Sequence, residues 1–490
     1  MKLKTTNVMS ICLAACGALT IGGASAQDFV PSGNLWGYAF GDYASKAHSD
    51  TLQRGGGNVQ YRGFSGGQIV PGAAGSSAAL NTVGGTITPN GVGGSTTTFG
   101  TPPANTQVNG FAFRRIYLGY DYNFAPNWTA QVVLANEQNT DASNKNTMYV
   151  KYANVKWSNF IKNQDLVIGQ YQTCSFATEF GTEPLWSYRS VERTIMDLHN
   201  IDGSTDLGAS LQGKLWKQGG ADAADSSKPN MIGYYLQVGN NNSAADNASN
   251  YKKGRLNIYG TFMHHALTVG LYGDYTVTVE NSDKNKSQAN TTMKAYAAFK
   301  SEWVRVGFEV FEQINKNSDV SISYTNGKVT TGALSDTVSG VQMGMSVFAS
   351  SQIIKNKLSI FARYDMYNPD TKYTSGNVYS AAYGAIKPVT GQLTAAETAG
   401  ATNYSWTAAT FYKQSFITAG LDWTPNSRVH LMPNIWYNGY SSMVTSYTSA
   451  ANVTTNYGSR VKTDNDMVYR LTFYFLFNQK KKVLNNGMSM

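Results

Sequence analysis

Sixteen stretches of this chain alternate apolar and polar residues with a period of two, and the segments joining them are short and long by turns. Residues 118–135 show the unit. Leu118, Tyr120, Tyr122 and Phe124 alternate with Gly119, Asp121 and Asn123; after Pro126-Asn127, Trp128, Ala130, Val132 and Leu134 alternate with Thr129, Gln131 and Val133. A period of two on both sides of a tight turn specifies a β-hairpin with one oily and one polar face. The unit recurs around Thr424-Pro425-Asn426-Ser427, with Ile417, Ala419, Leu421 and Trp423 before it and Val429, Leu431, Pro433 and Ile435 after it. The runs lie near 34–43, 111–124, 128–137, 148–157, 165–172, 206–216, 230–239, 252–263, 266–278, 292–301, 303–313, 341–350, 357–366, 415–423, 428–438 and 467–477.

The alternation of connection lengths decides what the oily face meets. Short links at 125–127, 263–266, 300–303, 353–357 and 424–427 interleave with long ones near 44–110, 173–205, 314–340, 367–414 and 439–466. A soluble sandwich has no reason to keep this order. It predicts an all-β fold: a transmembrane antiparallel β-barrel of about 16 strands, with short periplasmic turns, long extracellular loops and an oily face turned to lipid. In the last run Met467, Tyr469, Leu471, Phe473, Phe475 and Phe477 share one face, and Val468, Arg470, Thr472 and Tyr474 the other. A barrel of this size leaves a water-filled lumen.

Composition agrees: charged residues are 14% and aromatics 12%, with 31 Tyr and 48 Gly, a mixture of strand, turn and interface residues. Residues 1–26 read as a signal peptide, with Lys2 and Lys4, an apolar stretch over 8–21 and Ala24-Ser25-Ala26 at the cut. The competing reading takes Leu13-Ala14-Ala15-Cys16 as a lipidation site. The barrel then occupies 27–477, and 478–490, with Lys480, Lys481 and Lys482, forms a periplasmic tail. No apolar run of about 18 residues follows the signal, so no transmembrane helix is expected. After cleavage at 26 Cys174 stands alone, which excludes an intramolecular disulfide and a thiolate metal cluster.

The segment 55–107 is rich in Gly, Ser, Thr and Ala, but no GK[ST] follows a glycine cluster and no phosphate-cradling loop is expected. Neither HExxH nor GxSxG occurs, and His264-His265 would point to opposite sides of an extended chain. The reading is therefore a non-enzyme without metal or cofactor and without a nucleic-acid partner. About ten residues separate Gln27 from Trp36, too few for the plug of an energy-coupled transporter.

Arg114-Arg115-Ile116-Tyr117-Leu118-Gly119-Tyr120-Asp121 before its Pro-Asn turn, Ile168-Gly169-Gln170, the stretch EPLWSYRSVER from Glu183 to Arg193, and Asp206-Leu207-Gly208 together resemble the phosphate-selective porin superfamily of the O and P type. The similarity is clearest over 111–216 and in the last strand. It implies a 16-stranded outer-membrane pore, a homotrimer, and a third extracellular loop folded into the lumen. Two features depart from the pattern: the long first loop, 44–110, and the tail beyond Phe477.

If oily positions face out, polar ones line the pore. Arg115, Lys151, Lys214, Arg255, Lys294, Lys300, Arg305, Arg363 and Arg470 are the basic candidates, and Asp121, Glu137, Asp274, Glu309, Asp365 and Asp422 the acidic ones. The small positive excess predicts weak anion selectivity; the bland alternative is cross-strand pairing that only holds the wall together. Loop 173–205 carries Glu179, Glu183, Arg189, Glu192, Arg193, Asp197, His199 and Asp202, and either decorates the surface or, as the resemblance implies, forms the constriction. Two functions follow: a passive outer-membrane channel for small hydrophilic solutes or anions, or a surface barrel with a closed lumen that serves adhesion or docking.

Overall fold

The computed structural model describes residues 29–48, 109–137, 146–176, 180–218, 230–241, 251–282, 287–322, 337–371, 413–444 and 460–477, with short β pieces at 64–65, 68–69, 87–90, 94–97, 324–325, 328–329 and 378–380. The expected signal peptide at 1–26, most of loop 44–110, Glu179 and the expected tail at 478–490 lie outside the described residues.

Sixteen strands form the wall: β1 (Ser32–His48), β2 (Asn109–Ala125), β3 (Trp128–Asn136), β4 (Tyr149–Ile161), β5 (Gln164–Gln172), β6 (Thr205–Lys217), β7 (Met231–Gly239) and β8 (Lys253–Phe262). β9 (Leu267–Val279), β10 (Gln288–Lys300), β11 (Val304–Ile322), β12 (Thr337–Ile354), β13 (Leu358–Asn368), β14 (Lys413–Asn426), β15 (Val429–Val444) and β16 (Arg460–Phe477) complete it. Each pairs antiparallel with its sequence neighbour, and β1 pairs with both β2 and β16, so the sheet closes. Closure leaves no unpaired edge, which is what lets strands cross hydrocarbon. Every period-two run falls on one strand, and several strands continue further toward the long loops.

The short links are tight for a visible reason. Asn127, Asn163 and Asn356 take the left-handed backbone that Asn tolerates, as do Met263, His264 and His265 in succession. A turn carbonyl then accepts from the strand beyond the hairpin: Ser158 N–H to Asn127 O at 2.7 Å, Lys300 to Ala266 at 2.7 Å, Gln352 to Trp303 at 2.8 Å, Thr424 to Lys357 at 2.9 Å and Leu476 to Arg428 at 2.9 Å. This repeat stitches the periplasmic rim.

Outside, Leu118, Tyr120, Phe124 and Val132 are exposed, as are Tyr469, Leu471, Phe475 and Phe477. Near the short turns Phe124, Trp128, Trp157 and Phe160 form a run of ring contacts, Trp128 on Trp157 at 4.7 Å, placing aromatics where a bilayer surface would lie. A closed barrel with an apolar belt and an aromatic rim is an outer-membrane protein.

The oily-out rule fails in β1. Trp36, Tyr38 and Phe40 point inward with 2–8% exposure, stacked along the strand at 6.2 and 6.3 Å, and the outer face carries Leu35, Tyr43 and glycines. Register sets this. Tyr38 lies opposite inward Tyr117, and Phe40 opposite inward Tyr474, and directly paired residues share a face. The outer surface stays apolar because rings from β16 cover the glycines: a Cβ on Gly37 would lie 2.0 Å from the Phe477 ring.

Candidate functional site

The loop between β5 and β6, residues 173–204, crosses the inside of the barrel. Its ends are zipped by Thr173 N–H to Ser204 O at 3.2 Å and Thr173 Oγ1 to Gly203 O at 2.6 Å. Between them lie two short helices, α1 (Thr182–Trp186) and α2 (Ile195–Leu198). Arg189 Nη1 donates to Tyr117 Oη on β2 at 3.0 Å, while the carbonyls of Pro184 and Leu185 accept from Arg305 on β11 at 3.3 Å. β2 and β11 stand nearly opposite in the ring. Further bonds join the loop to β8, β10, β13 and β15, and only a path through the lumen meets all of these.

Sequence folds the loop there because one side is apolar and the other charged. Trp186 and Val191 pack with Tyr38, Tyr117, Phe348, Phe361 and Tyr474 of the wall; Phe176, Ile195, Met196 and Ile201 pack with Tyr235, Tyr259, Tyr272, Tyr296 and Phe311. Fully burying one such side chain contributes about 1.5–3 kcal/mol. The aromatic lining of the lumen was not anticipated from the polar-in rule, although the even spacing of Trp36, Tyr38 and Phe40 marks them as sharing one face.

The charges gather in clusters where loop meets wall. On the β8–β9 side, Asp202 accepts from Arg255 Nε and Nη2 at 2.8 Å each, from Lys253 at 2.9 Å and from the Tyr272 hydroxyl at 3.1 Å. Arg255 also reaches Asp206 at 2.7 Å, and Lys253 reaches Asp274 at 3.1 Å. Burial alone would raise the Asp202 pKa, but Arg255 and Lys253 hold it far below the usual carboxylate range. On the β2–β4 side, Glu137 takes Lys151 at 2.5 Å, Tyr149 at 2.8 Å and the Tyr117 hydroxyl, and lies 3.8 Å from both Arg115 and Arg189. Arg189 pairs with Glu183, Arg193 with Asp197 at 3.4 Å, and Arg115 lies 3.7 Å from Asp197.

The remaining candidates fall into place around these clusters. Lys294 lies 3.3 Å from Glu309, and Arg363 holds Asp365 through two bonds, at 2.8 and 2.5 Å. Asp121 accepts from Trp36 Nε1 at 2.9 Å and from Gln131 at 2.8 Å. Arg470 donates to Asn434 at 2.8 Å and lies 3.9 Å from Asp42. Glu192 is buried in the loop, taking the Trp436 indole N–H at 2.9 Å. Lys214 and Lys300 are exposed at the periplasmic ends of their strands, apart from the buried charges. His430 meets Asp422 at 2.9 Å through Nδ1, which Thr424 also approaches at 3.3 Å. Among the described residues no cluster of His, Cys, Asp and Glu could hold a metal ion.

Arg114 is the residue the alternation rule misses. Phe40 pairs with Arg115 but Gly41 with Phe113, so Arg114 is the extra residue of a β-bulge, and both arginines point inward. Arg114 lies 2.5 Å from Asp42 and donates to the loop carbonyls of Ser190 and Val191, the latter at 2.8 Å. With the loop included, nine of the buried charged side chains among the described residues are basic and thirteen acidic, while Arg189, Arg193 and Arg305 are half-buried. The loop supplies Glu183, Glu192, Asp197 and Asp202 to that total, and Asp42 and Asp206 come from the wall.

In the loop, burial with Arg193 and Arg363 close by pushes the His199 pKa down to about 3, and its ring stacks on Tyr367. Cys174 is wholly buried, and burial pushes its thiol up, out of the reactive range.

No family model matches the chain, and no curated protein matches it. Among solved structures, in-vitro folded OmpT, an outer membrane protein of Vibrio cholerae, is similar at 9% identity, covering 93% of this chain and 100% of that one, with a TM-score of 0.47. The outer membrane channel DcaP of Acinetobacter baumannii is 11% identical over 93% of this chain and 100% of its own, TM-score 0.46. The anion-selective porin from Comamonas acidovorans is 10% identical over 91% and 100%, TM-score 0.46.

Proposed function

We propose that the chain is a passive outer-membrane channel for small hydrophilic solutes, without catalysis, and that the 173–204 loop forms its constriction. The observation that carries this reading is the charged loop laid across a closed barrel, with ion-pair clusters where it meets the wall. Opposed charges at a narrowing set both size limit and field. Weak anion preference is part of the proposal. It rests on Arg305 of the wall, whose described partners are two loop carbonyls and not a carboxylate. The mixed-sign interior argues for a general channel over strict phosphate selectivity, and the homotrimer implied by the resemblance belongs to the same reading.

One observation favours the second reading, a closed barrel used for docking: Trp186, Val191, Ile195 and Met196 of the loop have at most 1% exposure. Swelling of proteoliposomes in uncharged sugars of increasing size separates the two. The channel reading expects entry of monosaccharides and a sharp size limit; no swelling in any sugar would move the conclusion to the closed barrel.

A further inference from the structure

Besides the ion pairs to its carboxylates, four cations of the wall hold the loop by its backbone carbonyls. Arg114 donates to the carbonyls of Ser190 and Val191, Lys294 to that of Ser175, Arg363 to that of Arg193, and Arg305 to those of Pro184 and Leu185. The first three also meet a wall carboxylate: Asp42 at 2.5 Å, Glu309 at 3.3 Å and Asp365 at 2.5 Å. Arg305 differs. Its described partners are the two carbonyls at the end of α1, each at 3.3 Å, and its side chain is half-buried at the periplasmic end of β11.

A guanidinium prefers an anion to a neutral carbonyl, because a bond charged on both sides is shorter and about twice as strong. A planar carboxylate can also take two parallel N–H bonds from one guanidinium. Arg305 is therefore the clamp that an anionic solute can take from the loop, whereas the bonds of Asp202 cannot be exchanged in this way. Resting on the channel reading above, we propose that the loop is a displaceable occupant of the lumen and that Arg305 is the residue that couples a carboxylate solute to its displacement. In the state seen here Arg305 holds the Pro184-Leu185 corner; when a carboxylate binds the guanidinium, that corner is released and the path beside β11 widens. Arg305 acts as a positioning residue of the loop and sets specificity for carboxylates over neutral solutes.

Single-channel recording in planar bilayers tests this, with chloride as the base electrolyte and acetate added on the periplasmic side. The wild type should switch between two levels, with acetate raising occupancy of the larger. Losing the bond that Arg305 Nη1 shares between the two carbonyls should raise that occupancy about tenfold in Arg305→Gln and abolish the acetate response. Arg305→Lys should keep part of the response. Unchanged occupancy and acetate response in Arg305→Gln overturns the proposal. A wild type conducting at one steady level overturns it and leaves the channel reading intact; a folded barrel that never conducts overturns both.

Discussion

The loop meets the wall along two seams of opposite character. At β8–β9, Asp202 is saturated: four donors reach it within 3.1 Å, two of them from one guanidinium. At β2–β4 the charges are more numerous and part of them are looser: Lys151 holds Glu137 at 2.5 Å, but Arg115 stands 3.7 and 3.8 Å from its carboxylates and three guanidinium nitrogens of Arg115 and Arg193 have no hydrogen bond. A saturated buried cluster fixes geometry, since removing any member strands a charge. An unsaturated one keeps a field that a passing ion can feel. The first seam anchors the base of the loop and the second polarises the passage.

Breaking the anchor should have the largest effect. Asp202→Asn leaves Arg255 and Lys253 underpaired and should cost about 3–5 kcal/mol, read as a lower temperature for the shift between folded and unfolded bands on a gel. Asp197→Asn at the loose seam should cost less, because its pairs stand at 3.4 and 3.7 Å. Equal losses at the two sites would erase the distinction. Next in size, Trp436→Phe removes the indole N–H that Glu192 accepts and should cost about 1–3 kcal/mol, with Trp436→His recovering part of it if the bond is what counts. Smaller still in stability is Arg115→Gln. It should lower unfolding stability less than Asp202→Asn does, its pairs being 3.7 and 3.8 Å apart, and shift the reversal potential toward potassium.

Acid gives the finest comparison. His199 has a folded pKa of about 3 against an ordinary value of 6.5, so between these pH values the unfolded chain binds a proton that the folded chain does not. Stability should fall as pH drops through that window. His199→Asn should flatten the slope. Asp202 has the same sign in a lower window: its carboxylate is depressed, so its contribution is complete above the ordinary Asp pKa and is lost only as pH falls below it. An unfolding series from pH 7 to 3 checks the His199 window, and a wild-type slope no steeper than that of His199→Asn would contradict the assignment.

The strands were legible because lipid imposes one rule on every strand that faces it, as Leu118 to Phe124 and Tyr469 to Phe477 show. The interior was less so. Inside a barrel, polarity answers to whatever fills the lumen, and once an apolar loop lies there, aromatic residues become inward choices; Trp36, Tyr38 and Phe40 follow the loop and not the membrane. Arg114 escaped for a local reason, since a bulge shifts the period by one and the sequence around Phe113 does not show it. The charged residues of the loop were visible by density, but whether Arg115 is loosely paired or Arg255 saturated depends on distances between strands far apart in the chain.

The account stands on a loop that narrows an aqueous path without sealing it. Planar-bilayer recording of the purified barrel under a potassium chloride gradient tests that most directly. It should show discrete conductance with a reversal potential displaced modestly toward chloride, and the Arg115→Gln barrel should reverse closer to potassium. Folded barrels that insert and pass no current would contradict it.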